Sequence, residues 1–230
     1  MRNKKSKYLL IFLFVLIHNL LLSQVRLPRI ISDGMVIQRD SKVKIWGWAS
    51  PEEKILIIFN NKSYKTKADK NGQWKIFLDK MKAGGPYEMI IKSKNEIKIK
   101  DILIGDVWLC SGQSNMELPM KRVSPIYENE IRESNNNFIR QFVVPQKYDF
   151  NEQKVDLEYG NWKSSNPDNV LDFSAVGYFF ANELFKENGV PIGLINASLG
   201  GSPIESWMSE DALKKFPSSY EELQKFKDNN

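Results

Sequence analysis

Between residues 25 and 104 apolar and polar positions alternate in short runs: "KVKIWGWA", "KILIIFN", "SYKTKA", "QWKIFL", "YEMIIK" and "EIKIKD". Successive side chains of a strand point to opposite faces, so Trp74, Ile76 and Leu78, or Ile97 and Ile99, form one apolar face each. Turn pairs separate the runs: Asn60-Asn61, Asn71-Gly72, Gly84-Gly85-Pro86 and Lys94-Asn95. Such residues suit tight turns, several of them by tolerating the positive φ angles a hairpin needs. About six strands at this spacing predict a small antiparallel β-sandwich over 25–104.

After Asp106 the pattern changes. "DFSAVGYFFANELFKENG" places Phe173, Val176, Phe180 and Leu184 on one helical stripe, with Asp172 or Ser174 as N-cap and Asn188-Gly189 as the stop. "IGLINAS" then reads as a short strand and "LGGSP" as a loop. "SEDALKKF" reads as a helix from Ser209 that Pro217 ends, and "SYEELQKFKD" as the next one. Strand, turn, helix, strand, glycine loop and helix predict an open α/β layer with its site at the strand C-termini. A parallel sheet needs helices on both faces. Residues 105–230 hold few such units, so this second domain is expected to be partial, cut short at its C-terminus.

The start of the chain is of another kind. "MRNKKSK" supplies four cations, and an apolar run over 8–22 follows, broken by His18 and Asn19. These are the n-region and h-region of a secretory signal over 1–24. The run is shorter than the roughly 20 residues a spanning helix needs. The expectation is export to the periplasm or the cell exterior, with cleavage near Ser23 and no stable membrane insertion afterwards; the alternative is an uncleaved anchor. Loss of those four cations lowers the formal charge from +5 to +1, which removes any electrostatic argument for nucleic acid. The chain has one cysteine, Cys110, inside the apolar "DVWLC", and one histidine, His18. A buried, inert thiol follows, with no intrachain disulfide, no metal site and no cofactor.

The chemistry-bearing stretch is "DVWLCSGQSNMELPM", residues 106–120. Gly112 allows a sharp turn at the end of the apolar strand, which carries Ser114 to the rim of the sheet. Backbone N–H groups at the start of a following helix can there stabilise a developing oxyanion. A lone Gly-x-Ser is equally an ordinary turn. The combination with "INASLGGSPIESW" is what matters: Asn196, Gly200 and Gly201 end a second strand, where glycines admit close approach to backbone amides and Asn196 offers a side-chain donor.

At these residues the sequence resembles the sialate O-acetylesterases, secreted carbohydrate esterases of the SGNH hydrolase superfamily. The resembling blocks are "LPRIISDGMVIQRDSKVKIWGWASPEEKI", "NGQWKIFLDKMKAGGPYEMII", "IKDILIGDVWLCSGQSNME" and "INASLGGSPIESWM". The resemblance implies a β-sandwich followed by a partial α/β three-layer, flavodoxin-like SGNH hydrolase domain that removes O-acetyl groups from sialic acid or another O-acetylated glycan. It makes Ser114 the nucleophile and assigns Asn196, Gly200 and Gly201 to the oxyanion site. Gly177 is either a further glycine of that site or a packing residue. Gln113, Asn115 and Glu205 fall on the substrate side, and Glu205 with Trp207 in "IESW" holds the loop or touches sugar.

The family's base is a histidine in a C-terminal Asp-x-x-His segment, and the only histidine here is His18. Glu117, Glu205 and Asp106 are the carboxylates near the motifs, yet a solvated carboxylate of pKa about 4 is a poor acceptor for a serine proton. The expectation is the N-terminal part of a longer esterase, nearly inactive alone. The alternative is a non-catalytic secreted glycan-binding protein using Trp46, Trp48 and Trp74, aromatics that otherwise fill a core.

Overall fold

A computed structural model describes residues 24–228, which divide into two units between Ile104 and Gly105. Apart from Gln24, the expected secretory signal lies outside the described residues. No described helix is long and apolar enough to cross a membrane.

The first unit contains β1 (Val36–Gln38), β2 (Val43–Trp48), β3 (Lys54–Phe59), β4 (Lys62–Lys67), β5 (Gln73–Leu78), β6 (Gly84–Lys92) and the first part of β7 (Glu96–Gly112). Strands β4, β3, β6 and β7 pair antiparallel in that order, β1 joins β7, and β2 pairs antiparallel with β5. The β3–β4 connection is the two residues Asn60 and Asn61, both at positive φ (47° and 59°), with Phe59 opposite Lys62. Two left-handed residues match the twist of the flanking strands, which is why this dipeptide makes the hairpin. Alternation sets the core: Ile55, Ile57 and Phe59 of β3, Met89 and Ile91 of β6, and Ile99 and Ile102 of β7 are buried. Ile45, Trp74 and Leu78 are buried from β2 and β5. Trp74 is thereby excluded from any surface site.

The expected turn at Gly84-Gly85-Pro86 is instead the start of β6, where the pairing with β7 is irregular. Gly85 has φ of 123°, and a Cβ on it would come within 2.7 Å of Ile102 O. Close backbone approach, not chain reversal, requires the glycine. Beside this sheet the buried carboxylate of Glu53 accepts hydrogen bonds from Ser50 N (3.0 Å), Lys94 N (3.4 Å) and Ser93 Oγ.

The second unit begins with the remainder of β7 and continues through three short helices, α1 (Ser114–Glu117), α2 (Met120–Val123) and α3 (Glu128–Arg132). Then come β8 (Asn136–Val143), β9 (Trp162–Ser165), α4 (Ala175–Asn188) and β10 (Ile192–Ser198). A 3-10 turn (Ile204–Trp207), α5 (Glu210–Leu213) and α6 (Pro217–Asp228) follow. The sheet is mixed, with order β7-β10-β8-β9: β10 runs parallel to both neighbours and β9 antiparallel to β8. A flavodoxin-like order would place the first strand between the second and third. Here the last strand is central, as suits the near-continuous apolar run "IGLINAS", whose residues are buried or half-buried.

Helix α4 forms where its caps predict. Ser174 is the N-cap, its side chain accepting from Gly177 N, and Gly189 closes the helix at φ of 63°. Its buried face matches only the two ends of the predicted stripe: Phe173 and Leu184 pack on the core, whereas Val176 is 50% and Phe180 40% exposed. The face turned inward carries Ala175, Gly177, Tyr178 and Ala181. Small residues let the helix lie close to the sheet: a Cβ on Gly177 would already sit 3.4 Å from Leu194 Cδ1 of β10. Ala175, Tyr178 and Ala181 share one core with Cys110, Met120, Ile139, Ile192 and Leu194, and Phe180 packs edge-on against Trp108 at 5.0 Å.

Candidate active site

Parallel pairing of β7 with β10 sets Cys110 opposite Asn196 and Gly112 opposite Ser198, so the two chains leave the same edge of the sheet side by side. Gly112 has φ of 132°, a value L-residues avoid, and turns the chain out of β7; its carbonyl accepts from Leu199 N at 2.9 Å. Ser114 is exposed as the first residue of α1. Gln113 caps α1 without a side-chain hydrogen bond; its side chain instead donates to Ser202 O of the glycine loop. The loop is tied internally, with Ser202 Oγ donating to Leu199 O (2.7 Å) and accepting from Trp207 Nε1 (2.9 Å).

Gly200 is the point of closest approach. A Cβ there would lie 3.6 Å from Ser114 Cα and run into the carboxylate of Glu117, to which Gly200 N donates at 2.5 Å. The other oxygen of Glu117 accepts from Gln146 Nε2 at 2.6 Å, and the same nitrogen reaches Ser198 O at 3.3 Å. Gln146 lies in the long connection from β8 to β9, and no short-range signal in the sequence ties it to the serine turn.

Asn196 is 6% exposed; its Oδ1 accepts from Ser198 N (3.2 Å) and Ser198 Oγ (2.5 Å), which leaves the side-chain NH₂ as its donor. Gly201 is exposed at φ of 75°. Asn115 is exposed beside Ser114. The N–H of Gly177 is consumed by the Ser174 cap at 3.1 Å. Glu205 is half-buried, its Oε1 accepting from Ser219 Oγ at 3.3 Å. Asp106 is set opposite Ile192, the first residue of β10, six residues before Gly112. At roughly 3.3 Å per residue that is about 20 Å from the serine turn, too far for a base. Cys110 is buried below the turn, and desolvation pushes its thiol pKa up, as an inert core residue requires.

The model of the family described as "carbohydrate esterase, sialic acid-specific acetylesterase" matches residues 104–228. The chain is 31% identical over 211 residues to the sialate O-acetylesterase of Homo sapiens, covering 82% of this chain and 40% of that protein. It is 30% identical over 208 residues to that of Rattus norvegicus, covering 82% and 38%. Among solved structures, a carbohydrate acetylesterase from Xanthomonas citri superposes with a TM-score of 0.79 at 42% identity, covering 83% of this chain and 44% of that one. The chain thus spans about 40% of the length of the curated relatives it matches. It belongs to the sialic acid-specific acetylesterase family of carbohydrate esterases.

Proposed function

We propose that this protein hydrolyses acetyl esters on sugars, O-acetylated sialic acid among them, with Ser114 as nucleophile. The observation that carries the reading is the exposed Ser114 on the rim of the sheet with Gly200 close enough that its Cβ would touch Ser114 Cα. Ser114 Oγ attacks the acetyl carbonyl and gives up its proton. The tetrahedral oxyanion is met by the backbone N–H groups of Ser114 and Asn115, those of Met116 and Glu117 being donated to Gln113 O, and by the Asn196 amide. The sugar oxygen leaves with a proton, and water then releases acetate from the acetyl-serine. Residues 24–228 contain no histidine, so no imidazole among them takes the serine proton; water is left to accept it and pass it to the departing sugar oxygen, and we infer that this chain alone turns over slowly. A triad without one member keeps about 10³–10⁴-fold acceleration over water. The test is release of acetate from O-acetylated sialic acid and from an aryl acetate by the wild type and by Ser114→Ala. With imidazole added as an external base, acetate release that rises in the wild type and not in the variant supports the reading, and an equal rise in both ends it.

Further inferences complete the picture. The two antiparallel sheets of the first unit, with inward Ile57, Phe59, Trp74 and Leu78, support a β-sandwich. The parallel β7–β10–β8 core with α4 supports a partial α/β hydrolase-like layer. The cationic and apolar opening residues support export.

One observation favours a second reading, non-catalytic glycan binding. Trp46 and Trp48 are half-buried on the side of β2 away from Ile45, with Lys44 over the Trp46 ring at 5.1 Å and Arg26 over Trp48 at 4.5 Å. Phe77, opposite Lys44, is exposed. Glycan binding that survives Ser114→Ala and is lost on Trp46→Ala or Trp48→Ala would favour it.

A further inference from the structure

Helix α1 is a single turn, far too short to be stable alone. The position of Ser114 is therefore set by what α1 is tied to. Two of these ties reach the glycine loop from side chains flanking Ser114: Gln113 on one side and Glu117 on the other. They differ in kind. Gln113 makes a neutral hydrogen bond, whereas Glu117 offers a carboxylate to a backbone N–H, a charge-assisted bond about twice as strong. Glu117 is also held from behind, because Gln146 donates to its second oxygen while reaching Ser198 O at the end of β10. The carboxylate thus bridges three segments: the serine turn, the glycine loop and the connection after β8. The missing side chain at Gly200 is what makes room for it.

We propose that Glu117 is the positioning residue of this site: its carboxylate, braced by Gln146, clamps the Gly200 amide and so fixes the glycine loop at its working distance from Ser114. The hydrogen of Gly200 N is committed to this clamp and does not serve the oxyanion, which falls to the α1 amides and Asn196. The assignment rests on the reading of Ser114 as nucleophile, but the clamp itself is observable without turnover.

The test uses Glu117→Gln, Glu117→Ala and Gly200→Ala. The Gly200 amide proton in the wild type should resonate downfield, as a charge-assisted bond to a carboxylate dictates. It should move upfield in Glu117→Gln and further in Glu117→Ala. Gly200→Ala drives its Cβ into the clamped Glu117 carboxylate and against Ser114 Cα, so it should break the clamp from the other side: the Gln146 side-chain NH₂ signal shifts and kcat falls as in Glu117→Ala. Acetyl-ester kcat should fall between tenfold and a hundredfold in Glu117→Ala with KM within twofold, the effect of an ångström-scale misplacement, and Glu117→Gln should recover part of it. A Gly200 proton that ignores Glu117→Gln overturns the clamp. A moved proton with unchanged kcat overturns its role in positioning. If imidazole raises acetate release equally in wild type and Ser114→Ala, the nucleophile reading fails on its own, and the Gly200 proton still decides whether the clamp exists.

Discussion

Replacement of Ser174 by Ala removes one oxygen from a side chain with 0% exposure. That oxygen accepts from Gly177 N at 3.1 Å and packs 3.6 Å from Met116 Sδ of α1. The backbone here is tied to the serine turn as well: Ala175 N donates to Leu118 O at 2.8 Å and Met120 N to Phe173 O at 2.9 Å. Loss of an N-cap costs about 0.5–2 kcal/mol. Gly177 is itself buried, so its N–H finds no water, and an orphaned buried donor costs about 1–3 kcal/mol. The two ranges describe one event and are not added; the expected loss is about 2 kcal/mol. For a chain of this size that lowers Tm by about 4–8 °C. Ser209 supplies the control, because its Oγ accepts from Ala212 N at 3.2 Å with the same chemistry on an exposed helix end. Water replaces the cap there, and Ser209→Ala should cost about 0.5 kcal/mol or less. Since the chain has two units, the measurement is native-state hydrogen exchange of α4 amides, which reads the second unit alone. Equal losses in the two variants, or protection of α4 unchanged by Ser174→Ala, would refute the argument that burial makes the cap valuable.

Two further outcomes are expected. Burial pushes the Glu53 carboxyl up, but the hydrogen bonds from Ser93, Ser50 and Lys94 and the charge of Lys94 outweigh it and hold it below the ordinary 4.5. Its contribution to stability is therefore complete above about pH 4.5 and is lost as pH falls through the lower folded-state value. Urea midpoints of Glu53→Gln and wild type should differ most above about pH 4.5 and converge as pH falls through the lower folded-state value, and parallel curves would be inconsistent with this linkage. Cys110, buried and with its thiol pKa raised by desolvation, should resist an aromatic disulfide reagent at pH 8 until the protein is unfolded in urea. Rapid labelling of the native protein would show the thiol to be accessible.

What the sequence revealed follows the range of the interactions involved. Strands β2 to β6 were visible because alternation is a two-residue signal, and the β3–β4 hairpin because Asn60-Asn61 carries its own turn geometry. The ends of α4 were visible for the same local reason. The inward face of α4 was visible only at its ends, Phe173 and Leu184, because large apolar side chains at Val176 and Phe180 suggest burial while the sheet accepts the helix through Gly177 and Ala181. Gly84-Gly85-Pro86 looked like a turn because the approach of Ile102 O, 17 residues further on, leaves no trace nearby. At the site, Ser114 was legible from the strand-to-glycine switch. Glu117 stood out only as a nearby carboxylate, since its partners Gly200 and Gln146 lie 83 and 29 residues away.

The bond from Leu199 N to Gly112 O and the bond from Gln113 to Ser202 share a dependence on β10. Until that strand inserts between β7 and β8, the serine turn has a sequence but no shape. During synthesis or refolding, the serine turn and the glycine loop therefore come together late, with the seating of the central strand, because non-local pairings of this kind are slow to close. A fragment ending before Ile192 would display the whole Gly-Gln-Ser-Asn motif and still have nothing against which to set it.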